Sequence, residues 1–342
     1  MQAIKFRRGH VPLDIECFRL VTENAPRPGA LDLLVSVRAV SVNPVDTKVR
    51  AGRVFLGEKA DTLGWDAAGV VVDVGSGVKL FRPGDEVFYS GDFARPGANA
   101  ELHTVDERLV GHKPVKLSFA EAAAMPLTSV TAWELLFDAL RVAPGKHCDR
   151  GSILILGGAG GVGSMLIQLA RRLTALNVIA SASRPESRDW CRSLGAHHVI
   201  DHSRSIVDEL AALGNPTIAH VAALNQTDLH WTEIAAIISP RGKVGVITDH
   251  DVLDATPLRL KSASLHWENV VTGPFFGGPH IVSHHRILEE ISALVDDGVL
   301  RSTMTKNLGL QTPSSLVEAH RLVESGRMIG KVVLTELRTE KL

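Results

Sequence analysis

The sequence is short of cysteine, of net charge and of long apolar runs, and each shortage removes a class of protein. Cys17, Cys148 and Cys191 are its three cysteines, far apart and odd in number. That pattern suits reduced thiols in a reducing compartment and argues against a disulfide framework. The formal net charge is −1, with acidic and basic residues mixed along the chain, so no basic stripe or acidic tail advertises a nucleic-acid or membrane partner. No apolar run approaches the ~18 residues that a membrane helix needs. The opening stretch Met1–Arg8 also lacks the apolar segment of a secretory signal. A cytoplasmic location is the expectation. Internal repeats and low-complexity segments are absent as well.

What is present suits packed globular domains. Apolar residues make up 45% of the 342 residues and charged residues 22%, which gives ample material for cores and a length suited to two domains. The first part reads as β-rich: Leu33–Val42, Gly69–Val74 and Glu86–Tyr89 are Val-rich runs. Turn signals separate them, notably Arg82-Pro83-Gly84-Asp85. A helical stretch over Ser118–Leu140 follows. After Pro144-Gly145 the rhythm changes to alternating strands and helices. Strands are expected at Ser152–Leu156, Val178–Ser181, His198–Ile200, Ile218–Leu224 and Lys243–Thr248, with helices between them. Such alternation implies right-handed βαβ units and a parallel, doubly wound sheet, hence an α/β fold. The remainder, with helices at His284–Val295 and Ser314–Ser325 and a strand at Lys331–Leu337, is expected to rejoin the first domain. The expected division is residues 1–125 with 262–342, and residues 126–261.

The most informative stretch is Ile153-Leu154-Ile155-Leu156-Gly157-Gly158-Ala159-Gly160-Gly161-Val162-Gly163. A buried strand runs directly into a glycine turn and then a helix. Gly158, Gly160 and Gly163 fit the G-x-G-x-x-G spacing, with roles in the tight turn, the approach to a pyrophosphate, and helix–strand packing. The helix start offers free N–H groups and a favourable dipole to phosphate. The acidic residue that would hold an NAD ribose about 20 positions on is missing. The second strand ends instead in Ser181-Ala182-Ser183-Arg184, with Arg188 one turn later. Hydroxyls and guanidinium groups suit a 2′-phosphate, so NADPH is the expected cofactor.

Several further segments match one family in order. They are Val42-Asn43-Pro44-Val45-Asp46, Leu63-Gly64-Trp65-Asp66-Ala67-Ala68-Gly69, Phe81–Val87, Ala122–Thr128, the glycine turn, and Glu324–Val333. In these the chain resembles the medium-chain dehydrogenase/reductase superfamily, and within it the quinone oxidoreductase-like branch often labelled zinc-type alcohol dehydrogenase-like. The resemblance implies a Rossmann domain, a β-rich GroES-like substrate domain, and a family tendency to form homodimers. Zinc-dependent relatives place a Cys where this chain has Asn43 and a His-Glu pair where it has Trp65-Asp66. They also carry a four-cysteine lobe after the position of Tyr89, where Gly91–Gly97 has no Cys. Indole N–H cannot ligate zinc and Asn is a poor ligand, so no metal is expected. The adjacent His284-His285 read as helix-surface residues.

The resemblance implies Asn43 as a donor near the substrate oxygen, Asp46 as its orienting neighbour, and Lys48 as a second donor. Trp65, His266 and Phe275 are expected to line the substrate pocket. For the cofactor the candidates are Thr131, Gly158, Gly160, Gly161, Val162, Gly163, Ser183, Arg184, Arg188, His202, Leu224, Asn225, Ile247 and Thr248. Without a Lewis acid, simple alcohol oxidation loses its usual help. Hydride addition to a quinone or an α,β-unsaturated carbonyl needs less, because the acceptor is already electron-poor. The expected activity is therefore NADPH-dependent, zinc-independent reduction of such a small molecule. A zinc-dependent alcohol dehydrogenase and a weakly catalytic NADPH-binding sensor are the alternatives.

Overall fold

The computed structural model describes residues 1–10, 13–54, 61–147, 151–249 and 252–337. Cys148 lies outside these residues, while Cys17 and Cys191 are buried and not in a disulfide. The chain forms two compact units, Met1–Val130 with Val270–Leu342, and Thr131–Asn269.

In the first unit β1 (Gln2–Phe6) pairs antiparallel with β2 (Phe18–Thr22). β3 (Asp32–Val42) points Leu33, Val35 and Val37 into the core by simple alternation. It ends at Asn43, which opens α1 (Pro44–Arg50). β4 (Asp66–Val74), β5 (Glu86–Ser90), β6 (Leu102–Asp106) and β7 (Val110–His112) complete the amino-terminal strands. The Arg82–Asp85 turn closes as its sequence requires, with Gly84 at φ +99° and Asp85 N–H on Arg82 O at 3.2 Å. The helical stretch expected over Ser118–Leu140 forms as three segments. α2 (Phe119–Ala123) starts on a Ser118–Glu121 capping box, α3 (Pro126–Trp133) restarts at a proline that lacks an N–H, and Glu134–Ala139 winds as a wider π-helix.

The second unit alternates strand and helix as far as its fifth strand. It runs β8 (Ser152–Leu156), α4 (Gly161–Leu173), β9 (Asn177–Ser181), α5 (Pro185–Ser193), β10 (His198–Ile200), α6 (Ile206–Ala212), β11 (Ile218–Ala223), α7 (Thr227–Ile237), β12 (Ile238–Val246) and β13 (Ser264–Trp267). The sheet order is β10-β9-β8-β11-β12-β13, all parallel. That is the doubly wound order whose carboxyl edge at the central strands makes a ligand crevice. β13 corrects the expected boundary after residue 261, since Ser264–Trp267 pairs with Lys243–Val246 and extends this sheet.

The chain then returns through α8 (Thr272–Phe276), α9 (Val282–Asp296), β14 (Met304–Leu310), α10 (Pro313–Glu324) and β15 (Lys331–Thr335). β15 pairs antiparallel with β3 and so closes the first unit's sheet around the long strand. His284 and His285 are not on a helix surface: His284 is 1% exposed and His285 Nδ1 bonds Val110 O at 2.7 Å. His285 thereby reaches β7, against which α9 packs. Among the described residues no helix is long and apolar enough to cross a membrane.

Candidate functional site

The glycine turn lies at the carboxyl end of β8. Gly157, with φ +81°, makes the tight turn, a role the spacing had assigned to Gly158. Gly158 serves packing: a Cβ there would stand 2.9 Å from Ala180 Cβ and 3.2 Å from Cys191 Sγ. Gly163 is tighter still, since its Cβ would lie 2.4 Å from Gly157 O. At Gly160 a Cβ would meet nothing nearer than Gly157 O at 3.5 Å, so the backbone there faces open space. Gly160 caps α4 without a side-chain bond, and Gly161 and Val162, half-buried, form its first turn. An uncapped start of a 13-residue helix on glycine fits a pyrophosphate.

Beside this turn is a cleft of about 220 Å³ lined by Leu156, Gly157, Ser181, His202, Asn225, Gln226 and His230. Of these, His202 and Asn225 were expected by number and Ser181 as one of the hydroxyls ending the second strand, whereas Gln226 and His230 were not. Ser181 joins the turn to the cleft. Its hydroxyl accepts from Gly157 N–H at 3.1 Å and lies 3.1 Å from His202 Nδ1, while its carbonyl accepts from Gly158 N–H. Burial, then the neighbouring His230, hold His202 below the usual imidazole range, so it is neutral at pH 7. With His230 Nδ1 near Glu233 and the two rings 6.1 Å apart, the cleft presents a pair of imidazoles.

The remaining cofactor candidates divide. Arg184 precedes α5 and pairs with Glu186 at 3.3 Å, and Ser183 is exposed beside it. Arg188 does not present its guanidinium to a ligand in the expected way, because it bonds Ala182 O and Val199 O and ties the ends of β9 and β10 together. Leu224 is nearly buried and Asn225 exposed after β11. Ile247 and Thr248 follow β12, with Thr248 Oγ1 3.1 Å from Thr227 Oγ1. Thr131 is 4% exposed on α3. His266 lies on the edge strand β13, bonded to Ser264 Oγ at 2.8 Å. Two residues on, Glu268 bonds Glu134. Burial and then the Glu134 charge push its carboxyl up to about 9, a pairing that sequence reading missed.

In the first unit the turn between β3 and α1 is built from buried polar groups. Asp46 accepts from Asn43 N–H at 2.8 Å and from Gly64 N–H at 2.9 Å. Burial outweighs these bonds and pushes its carboxyl up to about 6. Asn43 Nδ2 donates to Asp66 Oδ2 at 3.1 Å and to Ser41 O at 3.4 Å, and Asn43 Oδ1 accepts from Lys331 Nζ. Asn43 therefore does not offer the free amide donor that was expected, since both hydrogens turn inward. Lys48 is half-buried in the last turn of α1. Trp65 is fully buried, 5.1 Å from the Phe93 ring, with its indole N–H on Arg95 O at 3.1 Å. It packs the core where a pocket wall was expected. Phe275 is 60% exposed on α8, edge-on to Phe276.

The family model described as the alcohol dehydrogenase GroES-like domain matches residues 29–133, and the one described as zinc-binding dehydrogenase matches 194–334. A zinc-type alcohol dehydrogenase-like protein of Staphylococcus aureus (strain MSSA476) is 35% identical over 98% of this chain and 99% of its own length. The chain belongs to the medium-chain dehydrogenase/reductase superfamily. A crystal structure from Rhizobium etli CFN 42, named as a zinc-dependent alcohol dehydrogenase protein, is 47% identical with a TM-score of 0.92, covering 99% of each chain. The 2-methylene-furan-3-one reductase of Solanum lycopersicum is 32% identical over 88% of this chain and 71% of its own.

As a member of this superfamily the chain is an oxidoreductase of the class that uses a nicotinamide cofactor. Zinc, which the family's descriptions name, does not fit its side chains. Where the resemblance puts ligands stand Asn43, Trp65 and Asp66: one indole N–H already donating, one amide bonded inside, and one carboxylate paired with Lys331 at 3.3 Å. His10, Asp14 and Cys17 are the one group of three metal-type side chains gathered among the described residues. There the Arg50 guanidinium lies 3.7 Å from Cys17 Sγ, a positive charge against any cation.

Proposed function

We propose that this chain is an NADPH-dependent reductase that acts without zinc on a quinone or an α,β-unsaturated carbonyl. The observation that carries the reading is the self-contained bonding of Asn43, Asp66 and Lys331, which leaves no ligand set for a metal in a chain whose dinucleotide turn is intact. NADPH, when bound, supplies a hydride, and that chemistry needs no Lewis acid if the acceptor is already electron-poor. A relative named as a 2-methylene-furan-3-one reductase, whose substrate is an enone by name, supports the acceptor class.

In this reading Gly158 and Gly160–Gly163 hold the pyrophosphate, and Ser181 and His202 receive the adenosine end. Arg184, with Ser183, receives the 2′-phosphate, favoured by the absence of any acidic side chain in Ser181–Arg184. Arg188 supports that loop through its two carbonyl bonds. The strand ends at Leu224-Asn225 and Ile247-Thr248, together with Thr131, contribute to the nicotinamide end. Asn43 and Asp46 frame their turn, and Lys48 is the candidate donor to the acceptor oxygen. The reading takes the protein as a cytoplasmic homodimer with small-molecule partners.

The test is NADPH oxidation against benzoquinone, phenanthrenequinone and a short enone, with NADH and a chelator as controls. Turnover that prefers NADPH and ignores chelator is expected. Turnover with simple alcohols that chelator abolishes would overturn the reading, and tight NADPH binding without turnover would point to a sensor. Light scattering at monomer mass would remove the dimer.

A further inference from the structure

Strand register in the first unit brings three distant side chains to one place. Val332 of β15 stands opposite Val42 of β3, and Ser41 of β3 stands opposite Asp66 of β4. Lys331, Asn43 and Asp66 therefore emerge side by side at the ends of three neighbouring strands. All are buried: Lys331 is 4% exposed, Asn43 1% and Asp66 0%.

Their bonding closes on itself. The Lys331 ammonium has three protons and meets three acceptors, Val42 O at 3.1 Å, Asp66 Oδ2 at 3.3 Å and Asn43 Oδ1. Asp66 uses its other oxygen to accept from Leu127 N–H at 3.1 Å. This pattern fixes the direction of the Asn43 carboxamide. A flipped amide would set its N–H groups against the ammonium and its oxygen against the carboxylate, so only one orientation satisfies every polar atom.

We propose that Lys331 is a positioning residue, whose ammonium locks the Asn43 carboxamide and the Asp66 carboxylate into the one arrangement in which the Asn43–Asp46 turn works. That the turn belongs to the reaction rests on the reading under Proposed function; the lock itself does not. Removing the ammonium leaves a buried carboxylate and a buried amide oxygen without their partner, and the freed amide rotates.

The test uses the full chain in four forms: wild type, Lys331→Arg, Lys331→Met, and Lys331→Met with Asp66→Asn. The double variant removes both charges together, so it stays folded where the single Met variant fails to. Two readouts are taken. The first is hydrogen exchange of the Asn43 side-chain amide in nitrogen-labelled protein, its signals identified by their loss in Asn43→Ser. The second is kcat beside the Kd for NADPH. Slow amide exchange is expected in wild type and Lys331→Arg, and exchange at least ~tenfold faster in the double variant. kcat in the double variant falls on the order of tenfold to a hundredfold, as for a misplaced active-site turn, while Kd for NADPH changes by less than about twofold. Wild-type kcat in the folded double variant would overturn the proposal, because Lys331 would then only balance Asp66. Absence of turnover in wild type would sink the reductase reading instead. The exchange readout then decides alone, and equal exchange in wild type and double variant overturns the lock.

Discussion

Replacing His320 by leucine should make the protein less sensitive to acid. His320 lies on the inner face of α10 with Leu316, Val317 and Ala319, fully buried and edge-on to Phe18 at 5.0 Å. Among the described residues neither ring nitrogen has a hydrogen-bond partner. Burial, then the nearby Arg50 charge, push its pKa from the ordinary 6.5 down to about 3. The folded state thus holds the ring neutral where the unfolded chain would protonate it. The folded pKa lies below the unfolded one, so unfolding takes up a proton. The contribution to stability is full above pH 6.5 and is lost as pH falls toward the folded value. Between pH 7 and pH 5 this amounts to about 2 kcal/mol, because the unfolded imidazole goes from mostly neutral to mostly charged. A folded value of 3 or 4 gives the same result, since the ring stays neutral at pH 5 in either case. His103 and His284, each pushed down to about 4 chiefly by burial, add acid sensitivity of the same sign. Asp46 opposes them: its raised carboxyl, at about 6, contributes stability at low pH that is lost as pH rises through 6. The informative quantity is therefore the difference between wild type and His320→Leu, each measured by urea denaturation at both pH values. The variant should lose about 2 kcal/mol less on going to pH 5, and should be more stable at pH 7 because two unbonded buried nitrogens are gone. An equal loss in both proteins would refute the buried, neutral histidine.

Gly160→Ala should melt like wild type, with its Cβ in ordinary contact at 3.5 Å, yet bind NADPH about tenfold more weakly, because the added methyl stands where the pyrophosphate approaches. Gly163→Ala should instead cost about 1–3 kcal/mol of stability in denaturant melts, since its Cβ would lie 2.4 Å from Gly157 O. Arg184→Ala should lower the NADPH-over-NADH ratio of kcat/KM about tenfold, and an unchanged ratio would assign the 2′-phosphate elsewhere. Arg95→Lys should lower stability by about 1–2 kcal/mol in the same melts, because it breaks the paired bonds to Asp32 at 2.8 and 2.9 Å and the bond to Thr104.

Periodicity and glycine spacing made most of the second unit legible. Ser152–Leu156 and His198–Ile200 fall where the sequence places them because short apolar runs between turn residues leave little choice. One break and one misreading had their signal in the sequence. Pro126, without an N–H, marks the break in the Ser118–Leu140 helix, and His284 shares a helical face with Ile287, Leu288, Ile291 and Val295. Other features are set by tertiary register, which no local pattern carries. Lys331 reads as the first residue of a strand, and only the pairing of β15 with β3 and β3 with β4 delivers its ammonium to Asn43 and Asp66. Ser181 and His230 come to one cleft from β9 and α7, and β13, four residues long, gives too little pattern to be told from a loop.

The two places where the resemblance puts zinc are solved here with the chain's own cations, in different ways. The Gly91–Gly97 loop is held by Arg95, forked onto Asp32 and Thr104, and by His103 Nε2 on Pro96 O at 2.9 Å. That fork is partly open to water, so it orders a loop at modest energetic cost. Lys331 is sealed, and its cost of burial is met only because all three of its protons are bonded. A zinc ion with an open position can accept an alkoxide or polarise a carbonyl. An ammonium whose protons all point at protein oxygens has no such position to offer. On the reductase reading proposed above, the charge that organises this turn stays with protein oxygens, and the chemistry left favourable is addition to acceptors that carry their own electron deficiency. The organising cation is also covalently part of the chain, so substitution at Lys331 takes the charge away.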